Sequence, residues 1–491
     1  MLTKDGPHGV EVLLAHRVQE LPAFPGYWSF PGGGISRVDR EAVEAINSLK
    51  QMTDTVEAAT HAGMHRELVE EMGLCIPFSG EVQIVDSELR KKVLEDKSEW
   101  MKLVAKKEIP FAEDALIELT RRTTPEFAAL RFENRFMFMH CKGEIPDPIL
   151  EEQTEFDEFR WDRPEVFLRE WDDHKIKLPP PLVTILQEFV ERIPNFDGIN
   201  DLVEDMAARS PGERTILFAN GVECIPVPTA TLPPATTTNS YLLGKSGGEH
   251  ILVDPAIRSE EGKARIAAAL ERVEKSGGKL IAYLFTHRHL DHLGDIDLLK
   301  SLSDAEIWAS HETAAALSGN VNRIIMDADI IVLSHPKGAD MWNALITPGH
   351  CPGHICLLNE AGLIAGDMVA GIGTILVPPV EGMMEVYIEQ LNRLLRIDPN
   401  LLFPSHGPVI SLPQKILKHY IDHRQARHDK ILSILEDGEK ELDEISKEAY
   451  SDTPKAHPML ARQQTLSHLL AWQRQGKVSS KQNFWKLKEG V

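Results

Sequence analysis

The sequence has few cysteines and no C-x-x-C pair. Its five thiols, Cys75, Cys141, Cys224, Cys351 and Cys356, are odd in number and scattered, which fits reduced side chains better than a disulfide framework. No apolar run approaches the roughly 20 residues needed to span a bilayer, so no membrane is expected among the partners. The opening "MLTKDGPHGVEVLLAHR" lacks the basic segment, apolar stretch and small-residue cleavage site of a secretory signal, and a cytoplasmic location is expected. Positive charge is also scarce. A formal net charge of -22 favours solubility and works against adventitious polyanion binding, leaving a local basic patch as the one route to nucleic acid. No internal repeat or low-complexity tract is present.

What is present is a globular composition, 42% hydrophobic and 26% charged, over 491 residues, too long for a single ordinary core. Three blocks separate by pattern. The first, 1–195, carries the alternating strand "VEVLLAHR", a glycine-rich turn "FPGGGIS", a helix ending "HRELVEEMGL" and the strand pair "RFENRFMFMHCKG" and "FDEFRW", an α+β pattern. Residues 196–214 lose periodicity and gather Gly, Pro and charge, which predicts a linker with the boundary near Pro211. In 215–413 short apolar strands alternate with helical stretches such as "EGKARIAAALERVEKSG", the mark of layered α/β architecture. Residues 414–491 are helix after helix, closing in the hairpin-like "VSSKQNFWKL".

The densest chemistry is "THRHLDHLGD", directly behind the apolar "IAYLF". His287, His289, Asp291 and His292 can converge only if the backbone curls around a common point, and imidazole with carboxylate is the usual zinc donor set. His350 after "NALITPG", Asp367 after "GLIAG" and His406 after "LLFPS" each fall just past a predicted strand, so one edge of the sheet layer would collect them all. His354 is open to two readings, substrate or proton-transfer contact, or a hydrogen bond behind the ligands.

With "THRHLDH", "TPGHCPGH", "AGD" and "SHGP" in this order, the middle block resembles the metallo-β-lactamase superfamily over about 200 residues. That resemblance implies an αββα sandwich with a first zinc on His287, His289 and His350, a second on Asp291, His292 and His406, and Asp367 bridging both. Two such ions would share a water acidified toward a pKa of about 7, making a metal-bridging hydroxide the nucleophile, with Asp291 orienting it or handling its proton.

The tail "HRQARHDKILSILEDG", "ELDEISKEAYSDTP" and "MLARQQTLSHLLAWQRQGKV" predicts three helices before the hairpin, a winged-helix module. Placed after "SHGP", it resembles the beta-lactamase-like protein 2 branch, which implies single-stranded RNA as a phosphodiester substrate. From Lys455 onward, Lys455, Arg462, Arg474, Lys477, Lys481, Lys486 and Lys488 face only Glu489, a local excess able to meet phosphates. Alternatively the module, with Trp472 and Trp485, packs as a wall of the active site or mediates dimerisation. A glyoxalase II-like acyl-thioester hydrolase shares the H-x-H-x-D-H core. A non-catalytic scaffold binding metal or nucleotide is the remaining class.

In the first block "HRELVEEMGL" resembles the second half of a Nudix box. Glu67, Glu70 and Glu71 at i, i+3 and i+4 share a helix face able to hold Mg2+ or Mn2+ against a diphosphate, with Arg66 positioning them and Gly73 stopping the helix. The glutamate belonging eight residues before Arg66 is replaced by Ala58. "FPGGG", "TTPEFAALRFENRFMFM" and "EFDEFRW" extend the resemblance to the coenzyme A diphosphatase branch, which implies a nucleoside diphosphate derivative or CoA-like substrate, with Glu70 and Glu71 catalytic. The fold class expected is therefore multidomain: an α+β Nudix fold, an αββα sandwich and a winged helix.

Overall fold

The computed structural model describes residues 1–52, 54–128, 131–151, 154–209 and 214–488. They form two compact units, one of Met1–Thr124 with Arg131–Ala219 and one of Pro125–Leu130 with Asn220–Val491. No helix among the described residues is long and apolar enough to cross a membrane.

In the first unit, strand Gly9–Arg17 lies between Leu2–Gly6 and Phe156–Asp162, and Leu2–Gly6 pairs in parallel with Glu133–Cys141. One face buries Val12, Leu14 and Phe138 against the Pro180–Arg192 helix, through Leu182, Ile185 and Phe189. The other buries Leu13, Ala15, Met137 and Met139 with Leu68 and Met72. This period-2 alternation is what "VEVLLAHR" predicts.

The predicted linker is not a linker throughout. Ile199–Ala208 is a helix, and its Leu202, Val203 and Met206 enter the first core at helical spacing, a stripe the charged neighbours masked in the sequence. Pro211 lies outside the described residues.

In the second unit one sheet runs, across its width, Arg323–Ile324, Glu306–Ala309, Lys279–Leu284, Glu249–Val253, Thr237–Leu243 and Val222–Pro228. Leu242, Leu252, Tyr283 and Ile307 face the Glu260–Lys275 helix through Ile266, Leu270 and Val273. The alternate residues face the opposite way, where Tyr241 meets Phe403 of a second sheet with ring centroids 5.7 Å apart. That sheet runs Ile330–His335, Gly338–Ile346, Ile355–Asn359, Gly362–Gly366 and Leu402–Pro404, and Leu363 and Ala365 cover its outer side with the Met384–Ile397 helix. The layers are thus helix, sheet, sheet, helix.

The tail comprises helices Pro413–Ile434, Leu442–Ala449 and Pro458–Arg474 and a small sheet of Lys440–Glu441, Phe484–Leu487 and Val478–Lys481. It has its own core of Ile431, Ile445, Leu469, Trp472 and Trp485. The expected break at residue 414 is absent: Leu417, Tyr420 and Ala471 complete the core of the second sheet, so the tail belongs to the same compact unit.

Leu252, fully buried on the helix side of the first sheet, gives a measure of that core. Leu252→Ala should destabilise the second unit by about 3 kcal/mol, read as a lower urea midpoint at unchanged slope.

Candidate metal centre

Every candidate in the second unit stands just past a strand. Asp254 follows Glu249–Val253, His287 follows Lys279–Leu284, and His350, Asp367 and His406 follow Gly338–Ile346, Gly362–Gly366 and Leu402–Pro404. A four-residue helix, Leu290–Leu293, curls Asp291 and His292 back toward His287. All seven sequence-predicted residues come together. His287, His289, His350 and Asp367 form one group, and Asp291, His292 and His406 a second, each with donor atoms within 4.8 Å of one another.

The donors are oriented. His289 Nδ1 lies 3.0 Å from His287 Nε2 and 2.9 Å from His350 Nε2. Asp367 stands between the groups, Oδ2 3.5 Å from His350 Nε2 and Oδ1 3.6 Å and 3.5 Å from the Nε2 atoms of His292 and His406. Each ring spends its other nitrogen on an outer partner: His287 Nδ1 on Thr286 Oγ1 (2.9 Å), His292 Nδ1 on Asp254 (2.8 Å), His350 Nδ1 on the Leu376 carbonyl (2.9 Å), His406 Nδ1 on the Thr237 carbonyl (3.0 Å) and His289 Nε2 on Glu381 (2.7 Å). Fixing one nitrogen fixes the tautomer and aims the other inward.

Electrostatics favour neutral imidazoles on one side and a cation on the other. Burial, then the neighbouring histidines, pushes His287 and His350 well below the usual histidine value. Burial works the same way on His292, but Asp367, Asp254 and Asp291 outweigh it and raise that ring to about 10. Three carboxylates thus converge on one buried site. His292 Nε2 and Asp367 Oδ1 are buried without a hydrogen-bond partner, a costly arrangement unless a cation completes it. The donor set therefore fits a pair of metal ions.

His354 is a support. Its Nε2 accepts from the Asp367 amide at 3.0 Å and its Nδ1 donates to Thr347 Oγ1 at 2.8 Å, leaving no ring nitrogen for substrate. Gly366, at φ +52, is required here because a Cβ would sit 2.4 Å from His354 Nε2. Cys351 and Cys356 are packed thiols that burial pushes up to about 12.

Sequence reasoning missed Asp254 and Glu381. Asp254 accepts from the Thr286 amide (2.7 Å), the Thr286 hydroxyl (2.6 Å) and His292, from a left-handed φ of 46 that a non-glycine residue holds only under constraint. It follows "HILV" as Asp367 follows "LIAG", so the strand-end criterion could have found it. Glu381, in an irregular loop, carried no such signal.

In the first unit Glu67, Glu70 and Glu71 also converge. Asp54 caps the Thr55–Glu67 helix through the amides of Val56 and Glu57. From Leu68 to Met72 the expected α-turn is instead a π-turn, ended by left-handed Gly73. The Gly73 amide reaches back five residues to the Leu68 carbonyl, and Arg90 Nη2 satisfies the terminal Glu70 carbonyl at 2.8 Å. Arg66 grips Asp39 through Nε (2.7 Å) and Nη2 (2.9 Å) and Glu70 through Nη1 (2.8 Å). "FPGGG" touches the same site: a Cβ on Gly33 would fall 2.5 Å from the Glu67 carboxylate. Glu70 Oε1 is buried and partnerless. Burial, opposed by the Glu155 amide and aided by Glu67, raises Glu71 to about 7.

The model of the Metallo-beta-lactamase superfamily matches residues 233–406, and the chain belongs to that superfamily, as a hydrolase of its fold with a His/Asp metal site. Among curated proteins it is similar to the Beta-lactamase-like protein 2 homolog of Drosophila melanogaster, 30% identical over 254 residues covering 49% of this chain and 84% of that protein. It is also similar to the Atrochrysone carboxyl ACP thioesterase of Aspergillus fumigatus, 30% identical over 209 residues, 42% of this chain and 61% of that protein. A NUDIX hydrolase structure from Alicyclobacillus acidocaldarius is 18% identical, covering 43% of this chain and 95% of that one at a TM-score of 0.36.

Asp254→Ala should weaken divalent-metal binding at this centre about 10- to 100-fold, measured by chelator competition. In chelator-treated protein, Glu71 with its raised value binds its proton more tightly folded than unfolded. Stability should therefore be fully present below the unfolded carboxyl value and be lost as pH rises toward 7. The Glu71→Gln change should flatten that slope in pH-resolved thermal melts.

Proposed function

We propose that the chain is a bifunctional hydrolase, a dizinc esterase-type enzyme fused to a magnesium-dependent diphosphate hydrolase of Nudix type. The observation that carries the zinc reading is Asp367, whose two oxygens face separate nitrogen groups while Oδ1 and His292 Nε2 lie buried and partnerless. His287, His289 and His350 would hold one zinc, Asp291, His292 and His406 the other, and Asp367 both. Such a pair supplies Lewis acidity and a water acidified to near neutrality. The chain's own residues do the rest: Asp254, Thr286 and Glu381 fix the ring orientations, His354 holds the Asp367 backbone, and Asp291, half-buried at the same centre, is placed to receive a proton.

For the substrate we favour an acyl thioester. Leu290, 67% exposed, sits between His289 and Asp291; Val380, 96% exposed, adjoins Glu381; and Leu232, 47% exposed, adjoins Thr231, whose hydroxyl is 3.5 Å from His406. Apolar side chains left in water beside a metal centre suit an apolar acyl group better than a phosphodiester backbone. The thioesterase among the similar proteins supports this. Single-stranded RNA is the second reading, resting on exposed Lys481, Lys486 and Lys488 of the hairpin in a winged-helix-like tail. Part of the basic excess is already spent, since Arg474 pairs with Glu385 and Arg462 with Asp443, while Trp472 and Trp485 are buried and unable to stack bases. Glu489 lies outside the described residues.

In the first unit Glu67, Glu70 and Glu71 would bind Mg2+ or Mn2+ against a nucleoside diphosphate derivative, with Asp39 in the role Ala58 cannot fill. This reading is carried by the buried carboxylate triad around Arg66.

Purified chain should bind about two zinc ions; His289→Ala should reduce that to about one and lower thioester hydrolysis about 100-fold, checked by metal analysis and steady-state kinetics. Turnover of single-stranded RNA with inert acyl thioesters would reverse the order of the two substrates. Glu71→Gln should abolish magnesium-dependent diphosphate cleavage while zinc-dependent turnover persists, and loss of both together would contradict independent sites.

A further inference from the structure

Three consecutive carbonyls between the second sheet and the Met384–Ile397 helix are shared between the metal centre and the tail. The middle one, Leu376, accepts from His350 Nδ1 at 2.9 Å. The flanking two accept from the C-terminal helices. Ile375 takes Arg424 Nη2, and Val377 takes Ser467 Oγ at 2.6 Å and Gln464 Nε2 at 3.1 Å. Arg424 also donates to Thr374 Oγ1 at 3.0 Å and to Gln464 Oε1 at 2.8 Å, so the donors are themselves cross-braced. Between the hydrogen bonds, the side chains of Ile375 and Val377 sink into the core that holds Leu417, Tyr420 and Ala471 of the same helices.

This segment is a strap along the centre, and the ring partners it carries, Leu376 and Glu381, both serve the group of His287, His289 and His350. It begins at Asp367, passes the His350 partner Leu376 and ends at Glu381, the partner of His289. Near its start the Ala370 amide donates to Tyr420 Oη at 3.1 Å. It has no regular secondary structure from Thr374 to Pro378, so no ladder of its own fixes these carbonyls. Their direction is set by the helices Pro413–Ile434 and Pro458–Arg474. A carbonyl that turned away would release the His350 ring, and a ring free to rotate no longer presents Nε2 at one point.

We propose that these two helices are a positioning element of the metal centre, setting the orientation of His350 through the carbonyl row 375–377. This rests on the dizinc reading above. Arg424, Gln464 and Ser467 touch neither metal nor substrate; they act through Leu376 and His350. This task of the tail operates whatever the substrate, and it bears on the His350 side of the centre. His292 and His406 take their outer bonds from Asp254 and the Thr237 carbonyl, outside the strap.

The test uses the full chain and zinc alone. In Gln464→Leu/Ser467→Ala, which strips Val377 of both donors, one of the two zinc equivalents should bind about 10-fold or more weakly by chelator competition and the other unchanged. The visible spectrum of the cobalt-substituted protein should change for the weakened equivalent only. Ser467→Thr, which keeps the hydroxyl, should retain parental affinity. Leu469→Ala, a cavity in the tail's own core away from the strap, should lower thermal stability and leave both zinc affinities as they were. Equal zinc affinities and cobalt spectra in the double variant and the parent would overturn the proposal, as would equal weakening by Leu469→Ala. If the double variant does not fold, Gln464→Glu, isosteric but with an oxygen facing the Val377 carbonyl, takes its place with the same two outcomes. A parent chain that takes up no zinc would instead bring down the dizinc reading, and this inference with it.

Discussion

The constraint on which the second unit depends is charge balance at one buried point. Imidazole nitrogens crowd to about hydrogen-bond distance at His287, His289 and His350, where no proton can be shared among them all without repulsion, while Asp367, Asp254 and Asp291 surround His292. Crowded imidazole nitrogens beside three carboxylates that share one raised histidine are costly in a protein interior. A pair of cations held by these donors would remove the conflict at once, and the tether behind each ring keeps the donors aimed at that point.

The tethers divide by origin. Those of His287, His292 and His406 come from regular structure, Thr286 and Asp254 at strand ends and the Thr237 carbonyl in a strand. Those of His289 and His350 come from Glu381 and Leu376, in a loop whose shape is borrowed from the helices after it. A catalytic sheet and a helical tail that look separable along the chain are thus joined at the level of individual donors and acceptors.

Much of this was legible in the sequence, and the illegible parts have physical reasons. His287, His289, Asp291, His292, His350, Asp367 and His406 announce themselves because ligand chemistry needs rare residue types at strand ends. Asp254 shared the strand-end position but, unlike Asp367 in "AGD", belonged to none of the motifs that carried the resemblance. Glu381 and the 375–377 carbonyls were invisible, since backbone acceptors have no side-chain identity and a loop has no period. In the first unit the carboxylate triad was legible from its spacing, yet the π-turn was not, because the Gly73-to-Leu68 backbone bond that makes it forms only in the folded chain and no side-chain pattern marks it. Asp39 was hidden for the same reason: its partner Arg66 lies across an insertion, and only the folded chain brings them together. The helix Ile199–Ala208 was missed because a three-residue apolar stripe among acidic neighbours is a weak signal until a core is there to receive it.

The shared core beneath the second sheet has a consequence for folding. Leu417, Tyr420 and Ala471 are as much a part of the catalytic layer as Leu391 or Val369, so the tail and the sheet should melt as one cooperative body. Cutting the chain at residue 413 would not yield an autonomous enzyme and a detachable module. It would leave a greasy scar on each fragment, prone to self-association, and evolution could exchange this tail only for another that seals the same surface.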